Sequence, residues 1–346
     1  MAAMPEKASL AERFRWQEPV FAIRGARLYE HLCREAAGEL ERVGPLHDLL
    51  GPYAAEPPRR LLPLRLLAAV HGWVLRGDLP DLARHYPSVG GSRPPEGAWP
   101  LFRAACLERA DELHRFLALP LQHNEVARAV PLACGFHLLA EEADMPLRLL
   151  EVGASAGLLL RWDRYRDRPW FQALYGAQPA AATRVEVVER RGCDLHPIDP
   201  TDPDQALRLR AYVWADLPAH LRMLEEAIEV CREVPAAVEQ GSGEEWLERQ
   251  LADPSPGRVT VVFHSLLAGS AGDEVMARLG EVVRRAGDRA TVEAPLAYLR
   301  FEAGAELGPA SNSRQAMMRV AVTCWPGGEE RLLAVADVNG WYLRRL

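Results

Sequence analysis

The residues of this 346-residue chain best placed to do chemistry fall between positions 124 and 265. The richest run is Arg148-Leu-Leu-Glu151-Val-Gly153-Ala-Ser155-Ala-Gly157, followed by Leu158-Leu159-Leu160. It reads as a buried strand ending in an acid, a turn of small residues, and the opening of a helix. Small residues let backbone approach a ligand, and a helix N-terminus offers unpaired N–H groups. Glu151 at the strand end points into that crevice. Further on, Arg190-Arg191-Gly-Cys-Asp194-Leu-His-Pro197 comes after a second apolar run. An acid ending the second strand of a nucleotide-binding fold can accept two hydrogen bonds from a ribose diol. The plainer alternative is a turn or cap built by Asp194 and Pro197. Arg191, beside Asp194, is a fixed cation able to meet a carboxylate or phosphate. His264-Ser265 closes a fourth run, where a histidine can act as general base or be a satisfied structural residue.

The dinucleotide fingerprint G-x-G-x-x-G is missing from the loop. Residues 151–157 instead resemble the first motif of class I S-adenosylmethionine-dependent methyltransferases, acid-x-Gly-x-Gly-x-Gly, with Ser155 at the middle glycine. The resemblance implies that Glu151, Gly153, Ser155 and Gly157 hold the methionine end of the cofactor. Asp194 would take the ribose, and Ser242 stands where methyltransferases often carry an acid after the third strand. The same letters spell G-x-S-x-G, the nucleophile elbow of α/β-hydrolases. An elbow comes after several strands, whereas the chain before Leu147 reads as helical. No HGGG-type oxyanion segment precedes it, and Asp273 and His264 come in the wrong chain order for a triad. A bare strand-to-helix turn without a ligand is the third reading.

Positioning these residues requires two kinds of element. Residues 1–145 read as a helical domain: Ser9 to Trp16, Arg24 to Arg42, Arg60 to Leu75, Leu101 to Leu117 and Glu125 to Glu142 carry apolar residues at spacings of three and four. Gly44-Pro45, Gly51-Pro52, Pro57-Pro58 and the stretch from Pro87 to Pro100 punctuate them. Asn124 resembles an N-cap for the last of these helices. From 146 to 346 short apolar runs alternate with helical patterns: Leu147 to Val152, Thr183 to Val188, Val259 to Phe263 and Ala290 to Glu293, with Val238 to Ser242 lying where a third strand should end. Such alternation indicates a doubly wound, mostly parallel sheet. Two β-rich runs around Pro326-Gly327-Gly328 add a terminal antiparallel hairpin. The expected fold is therefore α/β, an all-helical N-terminal region before a seven-stranded methyltransferase-like sheet.

The net charge of −7 disfavours a nucleic-acid or membrane-surface binder. A single lysine, Lys7, stands among 41 basic residues, a skew that reads as coding bias on a solvated surface. Six widely spaced cysteines without a CxxC pair point to reduced thiols and to no zinc site. Residues 61–75 are interrupted by Pro63, Arg65 and His71 and are too short to span a bilayer, and the first residues lack a signal-peptide core. A cytoplasmic location is the expectation.

Several segments in order resemble the bacterial DUF2332 family. They are Tyr86-Pro-Ser-Val-Gly-Gly91, Gln122-His-Asn124-Glu125-Val126, residues 151–158, Asp163-Arg-Tyr165, Gly192-Cys-Asp194-Leu-His-Pro197 and Phe263-His-Ser265. The resemblance implies a methyltransferase-like Rossmann domain behind helices and places Ser155 within the family's own pattern. It departs at His123, Leu159, Ser242 and Asn339. It also brings Asn124 and Glu125 to the crevice mouth as substrate contacts, with Asp163 and Ser265; Asp163 is otherwise free to pair Arg161, Arg164 or Arg166. The leading functional expectation is S-adenosylmethionine binding and methyl transfer to a small molecule, with His264 as base. The alternatives are a non-catalytic ligand-binding protein on the same fold, and a serine hydrolase using Ser155.

Overall fold

The computed structural model describes residues 7–122, 124–176, 185–304 and 317–346. His123, and Thr183 of the expected second strand, lie outside them. The chain forms two compact units: residues up to Asn124 together with Asp202–Leu224, and Glu125–Thr201 together with Glu225 onward. This division differs from the change of sequence texture at 145/146, because packing decides it.

The first unit is helical. Helix α1 (Leu10–Ile23) opens with a capping box: Glu12 N donates to Ser9 Oγ at 3.3 Å and Ser9 N donates to Glu12 Oε2 at 2.7 Å. It runs beyond Trp16 and through Pro19, since Phe21 is fully buried with its ring edge-on to Tyr29 and Trp214. Helix α2 (Arg27–Glu41) has no side-chain cap of its own at Ala26. Asp216 supplies one from far along the chain, accepting from Leu28 N at 2.8 Å and Tyr29 N at 3.2 Å. Helix α3 (Leu62–Arg76) is buried along nearly its whole length, and its His71 shares a hydrogen bond with Ala211 O at 3.1 Å. One helix was expected from Leu101 to Leu117, but Arg109 leaves helical geometry and splits it into α4 (Ala98–Glu108) and α5 (Ala110–Ala118). The cap and the His71 contact explain why residues 202–224 pack with helices read as a separate N-terminal domain.

The second unit is built on a sheet. Its strands are β1 (Leu147–Val152), β2 (Val187–Asp194), β3 (Ala237–Gln240), β4 (Val259–Ser265), β5 (Leu296–Ala303), β6 (Met317–Trp325), β7 (Glu329–Asp337) and β8 (Leu343–Arg345). Their order is β3-β2-β1-β4-β5-β6-β7-β8, parallel from β3 through β5 and antiparallel from β5 through β8. The mostly parallel sheet and the hairpin β6–β7 match the expectation, while β8 brings the strands among the described residues to eight rather than seven. The run Ala290 to Glu293 is not a strand. It forms a turn with an isolated Thr291↔Ala294 bridge, and Val292 is 70% exposed. The sheet takes the more deeply apolar Leu296–Leu299 instead.

Buried β1 shows two apolar faces. Leu150 and Val152 pack with Val262, Trp246, Leu279 and Val283, from β4 and from helices Gly243–Gln250 and Asp273–Gly287. Strand alternation turns Leu149 and Glu151 to the other face, with Phe263 of β4. There helix α6 (Ala129–Ala143) covers the sheet, its Phe136 ring edge-on to Phe263 and stacked on Trp162.

Candidate functional site at the carboxyl edge of the sheet

The strand order reverses at β1, with β2 on one side and β4 on the other. In open α/β sheets ligands bind outside the carboxyl ends of the strands at such a switch point. Here those ends are Val152-Gly153 and Ser265-Leu266. Gly153 N and Ala154 N both donate to Cys193 O, at 2.9 and 3.0 Å, and Ile198 N donates to Ser155 O at 3.1 Å. Gly192 lets the loop lie this close, since a methyl group there would come within 2.6 Å of Ala154 Cβ. The φ values of Gly153, Ser155 and Gly157 are 72°, 49° and 64°. All three alternating positions are left-handed, so Ser155 takes a course that favours glycine, at a backbone cost of roughly 1–2 kcal/mol.

The segment after the loop differs from the expected helix. Leu159–Arg164 is a short 3-10 stretch with Arg161 in non-helical geometry. The free N–H groups of an α-helix N-terminus are thus absent at this point of the chain. Side chains brace the segment instead. Arg161 NH1 donates to Gly157 O and its Nε to Val234 O, both at 2.7 Å; Tyr165 Oη donates to Leu158 O at 2.7 Å. Arg190 reaches Leu160 O at 2.5 Å and clasps Asp163 with two 2.7 Å bonds.

Glu151 is 3% exposed, and its Oε2 has no hydrogen-bond partner among the described residues. Burial raises its carboxyl well above the ordinary value, the nearby Asp194 charge adds to this, and Arg161 opposes it. Ser265 lies two residues beyond Phe263, the β4 register partner of Glu151, and so shares its face. Its Oγ is also buried and without a partner among the described residues. Native structures rarely leave buried polar atoms unpaired. Two such atoms lie on adjacent strands at the switch point.

The other expected site residues are more occupied. Asp194 Oδ2 accepts from Ser155 N at 2.9 Å and Oδ1 from His196 N at 2.8 Å, which is the turn-forming role. A carboxylate has about four acceptor positions, so two remain for a ligand. Ser242 caps the helix Gly243–Gln250, its Oγ accepting from Glu245 N at 3.4 Å. Arg191 pairs with Glu239 at 2.6 Å. Asp163 pairs chiefly with Arg190, across the loop, and only at 3.3 Å with Arg164. Glu125, rather than Asn124, supplies the cap before α6: its carboxylate accepts from Ala127 N at 3.4 Å and a 3-10 turn, Val126–Arg128, precedes the helix. Asn124 belongs to the first compact unit and Glu125 to the second.

His264 is 1% exposed, with Nδ1 2.8 Å from Glu302 Oε1 and Nε2 2.9 Å from Tyr298 Oη. A general base needs a free ring nitrogen near substrate, and both of these are engaged. Glu302 Oε1 also accepts from Leu267 N at 2.6 Å and Ala268 N at 3.3 Å. His264 therefore orients Glu302, which fixes the turn after β4. That turn reaches the glycine loop: a methyl group on Gly153 would come within 2.9 Å of Leu267 Cδ1. Sequence patterns alone do not single out Glu302, Tyr298 or Arg161. The one signal for Glu302 is its place as the last acid of an apolar run, obscured when that strand is set at Ala290 to Glu293.

Among the described residues no group of three His, Cys, Asp or Glu side chains is arranged to hold a metal ion, and no helix is long and apolar enough to cross a membrane. The six cysteines are free thiols. Compared with known families, the chain matches DUF2332, described as an uncharacterized protein conserved in bacteria, over residues 11–344. The match covers nearly all of the chain, which therefore belongs to that family. Comparison with curated proteins and with solved structures gives no match.

Proposed function

We propose that this member of the DUF2332 family binds S-adenosylmethionine in the crevice between β1 and β4 and transfers its methyl group to a small molecule. The observation that carries this reading is the buried Glu151 Oε2, without a partner among the described residues, beneath a loop whose three key positions are left-handed. A ligand ammonium would satisfy Glu151, and a ligand polar atom would satisfy Ser265 Oγ. The open lone pairs of Asp194 suit ribose hydroxyls. Gly153 and Gly157 hold the loop in its left-handed course and let Leu267 and Val238 pack against it, since methyl groups there would meet those side chains at 2.9 and 3.0 Å. Ser242, committed to its helix cap, would contribute through backbone at most. When bound, the cofactor supplies an electrophilic methyl group. The chain's own part is to orient the two ligands and exclude water. His264 holds the Leu267 turn through Glu302 and moves no proton.

A second reading, ligand binding without catalysis, is favoured by the engagement of both His264 nitrogens. A serine hydrolase is disfavoured because the loop leads into a 3-10 stretch rather than the helix of an elbow. Thermal or chemical denaturation with S-adenosylmethionine and S-adenosylhomocysteine tests the proposal. A ligand at a hundred times its dissociation constant stabilises by about 2.7 kcal/mol. Absence of any shift at millimolar cofactor removes the proposal, and labelling of Ser155 by a fluorophosphonate would replace it with the hydrolase. Binding without methyl transfer to any acceptor selects the second reading.

A further inference from the structure

In the first unit, His71 of α3 is fully buried. Its Nδ1 lies 3.1 Å from Ala211 O and its Nε2 2.8 Å from Ser88 Oγ. These partners fix where the protons are. Burial pushes the His71 titration down to about 4, so at neutral pH the ring carries a single N–H and a single lone pair. Ala211 O is a carbonyl and only accepts, so the N–H is on Nδ1. Nε2 therefore holds the lone pair, and the Ser88 hydroxyl donates to it. A serine hydroxyl donating to an imidazole whose other nitrogen is anchored by a third group is the arrangement of an activated nucleophile.

The turn that carries Ser88 is held on its inner side and open on its outer side. Pro87–Val89 is a 3-10 turn in which Val89 N and Gly91 N both donate to Tyr86 O, at 3.1 and 2.9 Å. A methyl group on Gly91 would come within 2.3 Å of Ala83 O, so backbone packs tightly there. Ser88 itself is half-buried, Val89 is 41% exposed, and a methyl group on Gly90 would meet nothing within 4 Å. A substrate thus has room beside the hydroxyl. Ser88 N donates no hydrogen bond among the described residues, which leaves it for the oxygen that turns negative when a carbonyl is attacked.

We infer that Ser88 is the nucleophile and His71 the general base of an acyl-transfer site that hydrolyses esters with a good leaving group, aryl esters above all. Ser88 Oγ bonds to the acyl carbon as its proton passes to His71 Nε2. The bond from acyl carbon to leaving oxygen breaks, and that oxygen takes the proton from Nε2. Water then attacks the Ser88 ester, its proton passing through Nε2 back to Oγ as the carboxylic acid leaves. Ala211 O orients the ring but carries no full charge to balance an imidazolium, unlike the carboxylate of a triad. That is why the substrate is one whose leaving oxygen needs little help from a proton. The site is independent of the glycine loop and of the proposed function.

The experiment treats the full chain with a fluorophosphonate probe and locates the adduct by intact mass and peptide mapping, alongside turnover of p-nitrophenyl acetate. A single adduct on Ser88 is expected, lost in S88A and kept in S155G. Ester turnover should fall about a hundredfold or more in S88A. H71Q should slow labelling by a similar factor. His71 is fully buried, so if H71Q fails to fold, the mapped adduct and S88A decide alone. The inference is overturned if no adduct forms, if the adduct lies on Ser155 or any other residue, if folded S88A turns the ester over as the parent does, or if folded H71Q labels at the parent's rate.

Discussion

The Asp194 carboxylate accepts a hydrogen bond from the backbone N–H of Ser155 at 2.9 Å, so the acid that ends β2 fixes the loop that leaves β1. Its other oxygen ties down His196 N at 2.8 Å. One residue thus frames the loop and keeps acceptor capacity for a ligand. D194A should cost about 1–3 kcal/mol, because it strips two backbone donors of their acceptor. It should also weaken S-adenosylhomocysteine by about tenfold or more, the loss of a charge-assisted contact. Urea denaturation and calorimetry read the two effects. Unchanged affinity in a folded D194A protein would remove the ribose assignment.

Ser155 occupies a left-handed position, with φ 49°. S155G should therefore raise stability by about 1 kcal/mol, relief of backbone strain outweighing the added freedom of the unfolded chain. A higher urea midpoint at unchanged slope is the expected result. A lower midpoint would show that the Ser155 side chain contributes more than its backbone costs.

The Arg190–Asp163 pair is nearly buried, with side-chain exposures of 7% and 12%. D163N would leave the guanidinium without its counter-charge and should cost about 3–5 kcal/mol. The double replacement R190M/D163L should recover most of that loss. If D163N instead proves nearly neutral, the pair is not what braces the segment after the glycine loop.

Glu151 sets a pH dependence. Its folded carboxyl titrates well above the ordinary value of 4.5, chiefly through burial. Below about 4.5 both folded and unfolded chains carry the proton. Above it the unfolded chain loses the proton while the folded chain keeps it, so stability falls as pH rises toward the folded value. E151Q removes this penalty. It should be more stable than the parent at neutral pH, with the advantage shrinking toward acid. Denaturation midpoints of the two proteins across that range check the prediction, and a constant difference would contradict it.

How much of this is legible in the chain depends on how each residue is satisfied. β1 and β4 are readable because strands buried on both faces are continuous apolar runs. β5 is expected too early because Thr291-Val292 look β-prone, yet the sheet pairs the run that can bury more. The helix expected after Gly157 fails for a tertiary reason. Arg161, Tyr165 and Arg190 capture the carbonyls of Gly157, Leu158 and Leu160, which an α-helix would have used. The placement of 202–224 with the N-terminal helices is hidden because its warrants are long-range contacts: the Asp216 cap on Leu28 and Tyr29, the His71–Ala211 hydrogen bond and the Phe21–Trp214 ring contact. The candidate site residues Glu151 and Asp194 are legible from their places after apolar runs. The partners of His264 are not, since Tyr298 and Glu302 lie more than thirty residues away in a strand expected elsewhere.

The central claim, that Glu151 lies under a cofactor's ammonium, is tested most directly by calorimetric titration of S-adenosylhomocysteine in buffers of different ionisation enthalpy. A ligand cation should ionise the protonated Glu151 carboxyl, so binding at near-neutral pH should release a proton. In E151Q that release should vanish and affinity should fall. Absence of binding at millimolar ligand, or identical proton release from E151Q, would contradict the account.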